Sequence, residues 1–275
     1  MDHWSREGLR FEVRDSGDPE AETVVLLHGF PETGASWDKV APGLVSAGYR
    51  VLAPDQRGYS PGARPDGRRA YRLAELVDDV LSLADAAGID RFHLVGHDWG
   101  GGVAWEVATR HPERLLTLSV LSTPHPRALL RSLVRSSQAL HSWYMLFFQL
   151  PRLPEALIRA GGSKALVRSG LPEELAVAYT AVLVEPGALT GAVNWYRALP
   201  FVGSQPRRPE PVTVPTLYVW SSGDRFLSRA AAEATGRYVS APYRFEILEG
   251  VSHWIPELAP AEVVRLLVDQ FASAG

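Results

Sequence analysis

Six short apolar, largely β-branched runs punctuate the chain: TVVLLHGF from Thr23, YRVLAPDQRG from Tyr49, RFHLVGHD from Arg91, LLTLSVLS from Leu115, PTLYVWSSGD from Pro215 and YRFEILEG from Tyr243. Their apolar positions are continuous rather than alternating, which predicts strands buried on both faces of a largely parallel sheet. Helical periods lie between them. Leu73, Leu76, Val77, Val80, Leu81 and Ala84 recur at helical spacing. Glu75, Asp78, Asp79 and Asp85 are expected to face away, and Gly88 is the expected C-terminal stop. Strands alternating with amphipathic helices predict a doubly wound α/β domain. The alternation breaks after Pro124, and the chain reads helical and irregular to about Pro211. SQPRRPEPVTVP (Ser204 to Pro215) has the composition of a linker returning to the sheet. The expected organisation is a core over 1–123, a helical cap over 124–211 and the rest of the core over 212–275.

Composition changes this picture little. A chain of 275 residues, 46% hydrophobic and 21% charged, can bury one sizeable core with a smaller lobe. A formal net charge of -3 gives no reason to expect nucleic acid or an anionic membrane as partner. The absence of cysteine excludes disulfides and Cys-ligated metals. The opening MDHWSREGLRFEVRDSG has no apolar run like a signal peptide, and no stretch is long and apolar enough to span a bilayer, so the expected location is cytoplasmic. HDWGGG lacks the Gly-x-Gly-x-x-Gly spacing and no His-Glu-x-x-His occurs, so no cofactor is expected.

The chemistry concentrates in LVGHDWGGG, Leu94 to Gly102, which has the spacing of a hydrolase nucleophile turn with an aspartate in place of serine. A sharp strand-to-helix turn would lift Asp98 into a cleft, and glycines at 96, 100 and 101 let such a turn form. The helix that follows offers orphan N–H groups and positive dipole to an anion. Taken alone, Asp98 is equally well a helix cap, Asp224 a turn residue before RFLS and His253 a surface histidine. Asp224 and His253, however, also fall just past strand ends, where open α/β sheets place their sites. The order nucleophile, acid, histidine is that of an α/β-hydrolase triad.

With these residues in view, the chain resembles the epoxide hydrolases of the α/β-hydrolase superfamily over nearly its whole length. The carriers are HGFPE, SWDKV, DQRGYS, GHDWGG, STPHP, SWYMLFFQLP, NWYRA, SGDRF and SHWIPE. Most are common to the superfamily; the aspartate narrows the field to epoxide hydrolases and dehalogenases, and the two cap motifs narrow it further. The fold implied is an α/β-hydrolase core with an inserted, mainly helical cap. A carboxylate is ionised near neutral pH and can attack saturated carbon, giving an alkyl ester on Asp98. Water activated by His253, its tautomer fixed by Asp224, would hydrolyse that ester. The resemblance implies an oxyanion hole from the backbone N–H groups of Phe30 and Trp99, and two cap tyrosines, Tyr144 and Tyr196, that protonate the epoxide oxygen.

Asn194, the only asparagine, would orient Tyr196 or serve a turn. His28 and His97 are expected to pack or hydrogen-bond, Asp55 and Arg57 to pair structurally, and His125 to mark the exit into the cap. Trp143, Met145, Leu146, Phe147, Phe148 and Trp195 enrich the cap in large apolar side chains. Trp143, Phe147, Phe148 and Trp195 are the expected lining of a pocket over Asp98. Such a pocket favours a small, hydrophobic epoxide and should raise the Asp98 pKa, against the pull of nearby N–H donors.

The nearest rival is a haloalkane dehalogenase, in which Trp99 with Trp143 or Trp195 would hold the halide; Phe30 has no side-chain donor for that task. Haloacid-type enzymes place arginines just after the nucleophile, where this chain has Trp99-Gly100-Gly101. A non-catalytic ligand-binding protein on the same fold would have no need of His253. The expected partners are the epoxide and water, and the expected state is a monomer or homodimer.

Overall fold

The computed structural model describes residues 1–136, 138–201 and 211–273. Eight strands form one sheet: β1 (His3–Arg6), β2 (Leu9–Ser16), β3 (Thr23–Leu27), β4 (Arg50–Pro54), β5 (Phe92–His97), β6 (Leu115–Leu121), β7 (Thr216–Ser221) and β8 (Tyr243–Leu248). Their order is β1-β2-β4-β3-β5-β6-β7-β8. From β4 to β8 every pairing is parallel, while β1 and β2 pair antiparallel at one edge. All six apolar runs are strands, and β3, β4, β5 and β7 are buried at every position. The N-terminal hairpin β1–β2 was not among the expected strands. Its signal is alternation rather than a continuous run: Phe11 and Val13 point inward between exposed Arg10, Glu12 and Arg14.

Helices cover both faces. α1 (Ala41–Ser46) packs on one face, α2 (Leu73–Ala86) and α3 (Trp99–Arg110) on the other. Gly88 follows α2 with φ 72°, a conformation that suits glycine at a helix end. Between β6 and β7 the alternation gives way, among the described residues, to six helices: α4 (Pro126–Arg135), α5 (Gln138–His141), α6 (Trp143–Phe147), α7 (Leu153–Arg168), α8 (Glu173–Leu183) and α9 (Ala188–Ala198). These form the cap. α10 (Arg229–Ala234), α11 (Ile255–Leu258) and α12 (Pro260–Ala272) return to the core, with α12 beside α1. Most of the expected linker lies outside the described residues; within its described end, Val212 bridges to Val239. Among the described residues no single helix is long and apolar enough to cross a membrane.

One helix-face expectation fails. Asp79 does not face away from the core but is buried, accepting hydrogen bonds from Arg57 Nε and Nη2 at 2.7 Å and from Arg6 Nη1 at 2.9 Å. Hydrophobic periodicity assigns any carboxylate on such a helix to water; here two arginines distant in sequence compensate the buried charge. Asp55 and Arg57 are structural but do not pair with each other. Asp55 Oδ1 takes Arg14 Nη1 at 3.0 Å and the Gly34 N–H at 2.7 Å.

Candidate active site

Asp98 stands between β5 and α3 with φ 48° and ψ -119°, a strained conformation for a residue with a side chain. Such strain costs about 1–3 kcal/mol and persists only where the surroundings enforce it. Here they do. A Cβ on Gly96 would strike the Gly100 carbonyl, one on Gly100 would strike that of Leu27, and one on Gly29 would strike the Asp98 side chain. The Thr123 hydroxyl donates to the Asp98 carbonyl at 2.6 Å. The turn is therefore clamped from both sides, and the carboxylate projects into the cavity between core and cap.

Three loops past strand ends meet there. After β3, the Phe30 N–H donates to Asp98 Oδ1 at 2.8 Å. The Trp99 N–H belongs to the first turn of α3, where helix donors have no carbonyl partner within the helix. After β7, Asp224 accepts the Phe226 and Leu227 N–H groups at 2.7 and 3.0 Å through Oδ1. Its Oδ2 meets His253 Nδ1 at 2.8 Å. After β8, His253 Nε2 lies 3.5 Å from Asp98 Oδ2. The three residues of the sequence pattern thus form one chain of contacts.

Electrostatics follow from this geometry. Burial raises the Asp98 carboxyl, but His253, the His97 charge and the Phe30 N–H outweigh it, and the group is held below the ordinary carboxylate value. The expectation of a raised pKa is thus overturned: the apolar walls act as supposed, but the facing cationic groups win. Burial likewise disfavours the imidazolium of His253, and the Asp224 and Asp98 carboxylates override it, holding His253 well above the usual imidazole value.

The cavity, about 350 Å³, is lined by Asp98, His253, Phe30, Phe148, Phe226 and Trp254 together with Tyr144 and Tyr196. The two tyrosine rings are edge to face, with centroids 6.0 Å apart. Burial, with the Asp98 charge, raises both phenols above their ordinary value, so both stay protonated near neutral pH. Of the other aromatics expected in the lining, Phe148 is there and Trp143 stands at the rim, 63% exposed. Phe147 and Trp195 are not. Phe147 packs on Trp143 and Phe148, and Trp195 donates its indole N–H to the Arg57 carbonyl at 2.8 Å, fastening α9 to the core. Asn194 lies inside α9, which excludes the turn role.

His28 donates through Nδ1 to the Gly29 carbonyl at 2.9 Å and accepts the Gln56 N–H at 3.1 Å through Nε2. His125 caps α4, accepting the Arg127 N–H at 3.2 Å, and stacks on Tyr238. The residues missed from sequence lie behind the triad. Glu32 accepts the Gly29 N–H at 2.7 Å and pairs with His97 Nδ1 at 3.0 Å. His97 Nε2 in turn reaches the His253 carbonyl at 3.0 Å. Glu257 in α11 accepts the Tyr179 hydroxyl from cap helix α8 at 2.8 Å. Glu32 was visible as a carboxylate inside HGFPE, but nothing local ties Glu257 to a tyrosine 78 residues away.

Residues 22–260 match the family model described as alpha/beta hydrolase fold. The AB hydrolase superfamily protein YfhM of Bacillus subtilis is 38% identical over 271 residues, covering 95% of this chain and 94% of that protein. Epoxide hydrolase A of Mycobacterium tuberculosis is 32% identical over an alignment of 305 residues, covering 95% of this chain and 94% of its own. Among solved structures, epoxide hydrolase A from Mycobacterium thermoresistibile superposes with a TM-score of 0.83 at 28% identity, covering 98% of this chain and 96% of its own.

Proposed function

The chain belongs to the epoxide hydrolases of the α/β-hydrolase fold family, and from that premise we propose that it converts a hydrophobic epoxide to a vicinal diol through an ester on Asp98. The observation that carries the reading is the position of one ionised carboxylate between the Phe30 N–H and His253, inside the cavity that two protonated tyrosines also line.

Oδ2 of Asp98 attacks a ring carbon, the carbon–oxygen bond breaks, and Tyr144 and Tyr196 supply the proton that the epoxide oxygen requires. Oδ1 remains at the Phe30 N–H as the ester carbonyl oxygen. Water then loses a proton to His253 Nε2 and adds to that carbonyl carbon. The Phe30 and Trp99 N–H groups hold the resulting oxyanion; one such donor is typically worth about 3–4 kcal/mol. Cleavage of the acyl bond passes the His253 proton to the departing alkoxide and releases the diol, and the new Asp98 carboxyl returns its proton to the tyrosinate, restoring the site. Esterification also neutralises one of the two carboxylates that raise His253, so its pKa falls at the step that requires a base.

The dehalogenase alternative is not favoured. The Trp195 indole N–H that would share a halide with Trp99 is committed to the Arg57 carbonyl. The experiment for the two-step scheme is His253→Gln mixed with an aryl epoxide and quenched rapidly. Intact-protein mass should show the substrate mass added to the chain, lost slowly afterwards. A protein that turns over without ever carrying the added mass would exclude the ester.

A further inference from the structure

The cap carries a helix turned against the usual rule. α4 places Ala128 and Ser132 inward, against α10 with its buried Ala231 and Ala232, and leaves Leu130 67% and Val134 82% exposed. The next two helices continue the pattern, with Leu140 78%, Trp143 63% and Leu146 78% exposed. Burying small residues while exposing leucine, valine and tryptophan forfeits hydrophobic stabilisation unless something else covers them.

The charges carried by these three helices are of one sign. From Pro126 to Phe147 the chain has no acidic residue but three arginines, Arg127, Arg131 and Arg135, in a protein whose formal net charge is -3. Arg131 and Arg135 stand exposed one turn apart on α4, beside Leu130 and Val134. A net charge near neutral therefore hides a basic, apolar face, and the expectation drawn from the total does not describe it. Leu140 and Trp143 of the same face also line the cavity over Asp98, so the face borders the site.

We propose that this face of α4, α5 and α6 docks on an anionic lipid surface, with the apolar side chains in the headgroup boundary and the arginines at the phosphates. Helices that lie in a membrane interface have this composition, leucine and tryptophan on one side with arginine flanking. Docking would bring the site beside the layer in which a lipophilic epoxide accumulates. This last step rests on the epoxide hydrolase reading, whereas the docking itself does not.

The test is flotation of the full chain with vesicles of phosphatidylcholine containing about one third phosphatidylglycerol, where surface charge attracts nearby arginines. The protein should float with these vesicles, be released by high salt, and remain below with pure phosphatidylcholine. Leu130→Glu with Val134→Glu, and separately Arg131→Glu with Arg135→Glu, should each weaken binding at least about tenfold. Neither pair touches the site, so each variant should hydrolyse a water-soluble epoxide at the wild-type rate. Failure of the wild type to float, or equal flotation of both variants, overturns the proposal. A dimer in light scattering that Leu130→Glu with Val134→Glu dissolves, without flotation, assigns the face to a second copy and also overturns it. Flotation without turnover of the soluble epoxide would remove the activity reading and leave docking standing.

Discussion

Asp98 and His253 hold each other in the charged state, and that reciprocity is what the first chemical step consumes. His253 is buried and Asp98 half-buried; desolvation works against both charges, and each favours the ionised form of the other, with Asp224 behind. Replacing Asp98 by asparagine mimics the neutral ester without changing its shape. His253 should then titrate at lower pH in Asp98→Asn than in the wild type, followed by NMR of the imidazole; an unchanged titration would mean that esterification does not tune the base. The tyrosines act at the same scale. Tyr144→Phe combined with Tyr196→Phe leaves the apolar packing intact while removing both donors. Epoxide opening should fall by at least about the hundredfold typical of lost acid catalysis, measured as the rate of ester formation, while vesicle binding stays. The Asp98, Asp224 and His253 pattern was legible because each follows a strand whose apolar run marks it. The direction of the Asp98 shift was not, since it depends on which groups face it across the cavity.

Between elements, polar contacts join the cap to the core: Trp195 in α9 to the Arg57 carbonyl, Trp254 to Ser169 at 3.0 Å, and Tyr179 in α8 to Glu257 in α11. The last contains a titratable group. Burial, reinforced by Glu32, pushes the Glu257 carboxyl up from 4.5 to about 8. From roughly pH 4.5 to 8 the folded protein therefore holds a proton that the unfolded chain has lost, so this group's contribution is full below that window and disappears as pH rises through it. Glu257→Gln keeps an acceptor for Tyr179 and abolishes the titration. Its melting temperature, relative to wild type, should climb as pH rises across that window, by an amount equivalent to a few kcal/mol, order of magnitude, at the alkaline end. A constant difference across the window would place the raised carboxyl elsewhere. Sequence periodicity finds strands and helices, but these ties join side chains whose only common feature is their place in the fold.

For the molecule as a whole, the sheet and its two helical layers follow from patterns in the chain, whereas the ionic centre that unites them does not. Continuous apolar runs identify the parallel strands because such strands are covered on both faces. The β1–β2 hairpin carries the other period and was missed for that reason. Asp79 is the clearest case: one carboxylate on an amphipathic helix, read as solvent-facing, in fact receives Arg57 from the loop after β4 and Arg6 from β1. Through the Arg57 carbonyl the same loop holds Trp195, so the edge hairpin, α2 and the cap converge on one buried charge. Burial raises that carboxyl above its ordinary value, and the two arginines oppose this without cancelling it. Removing it leaves the Arg57 guanidinium buried without its counter-ion. Asp79→Ala should therefore cost about 3–5 kcal/mol in urea unfolding, the range for breaking a buried pair from one side. Arg57→Met combined with Asp79→Leu removes both charges and fills the volume, so it should recover most of that loss. If the double variant is as unstable as Asp79→Ala, the loss comes from packing around α2 rather than from a stranded charge, and the hub is steric.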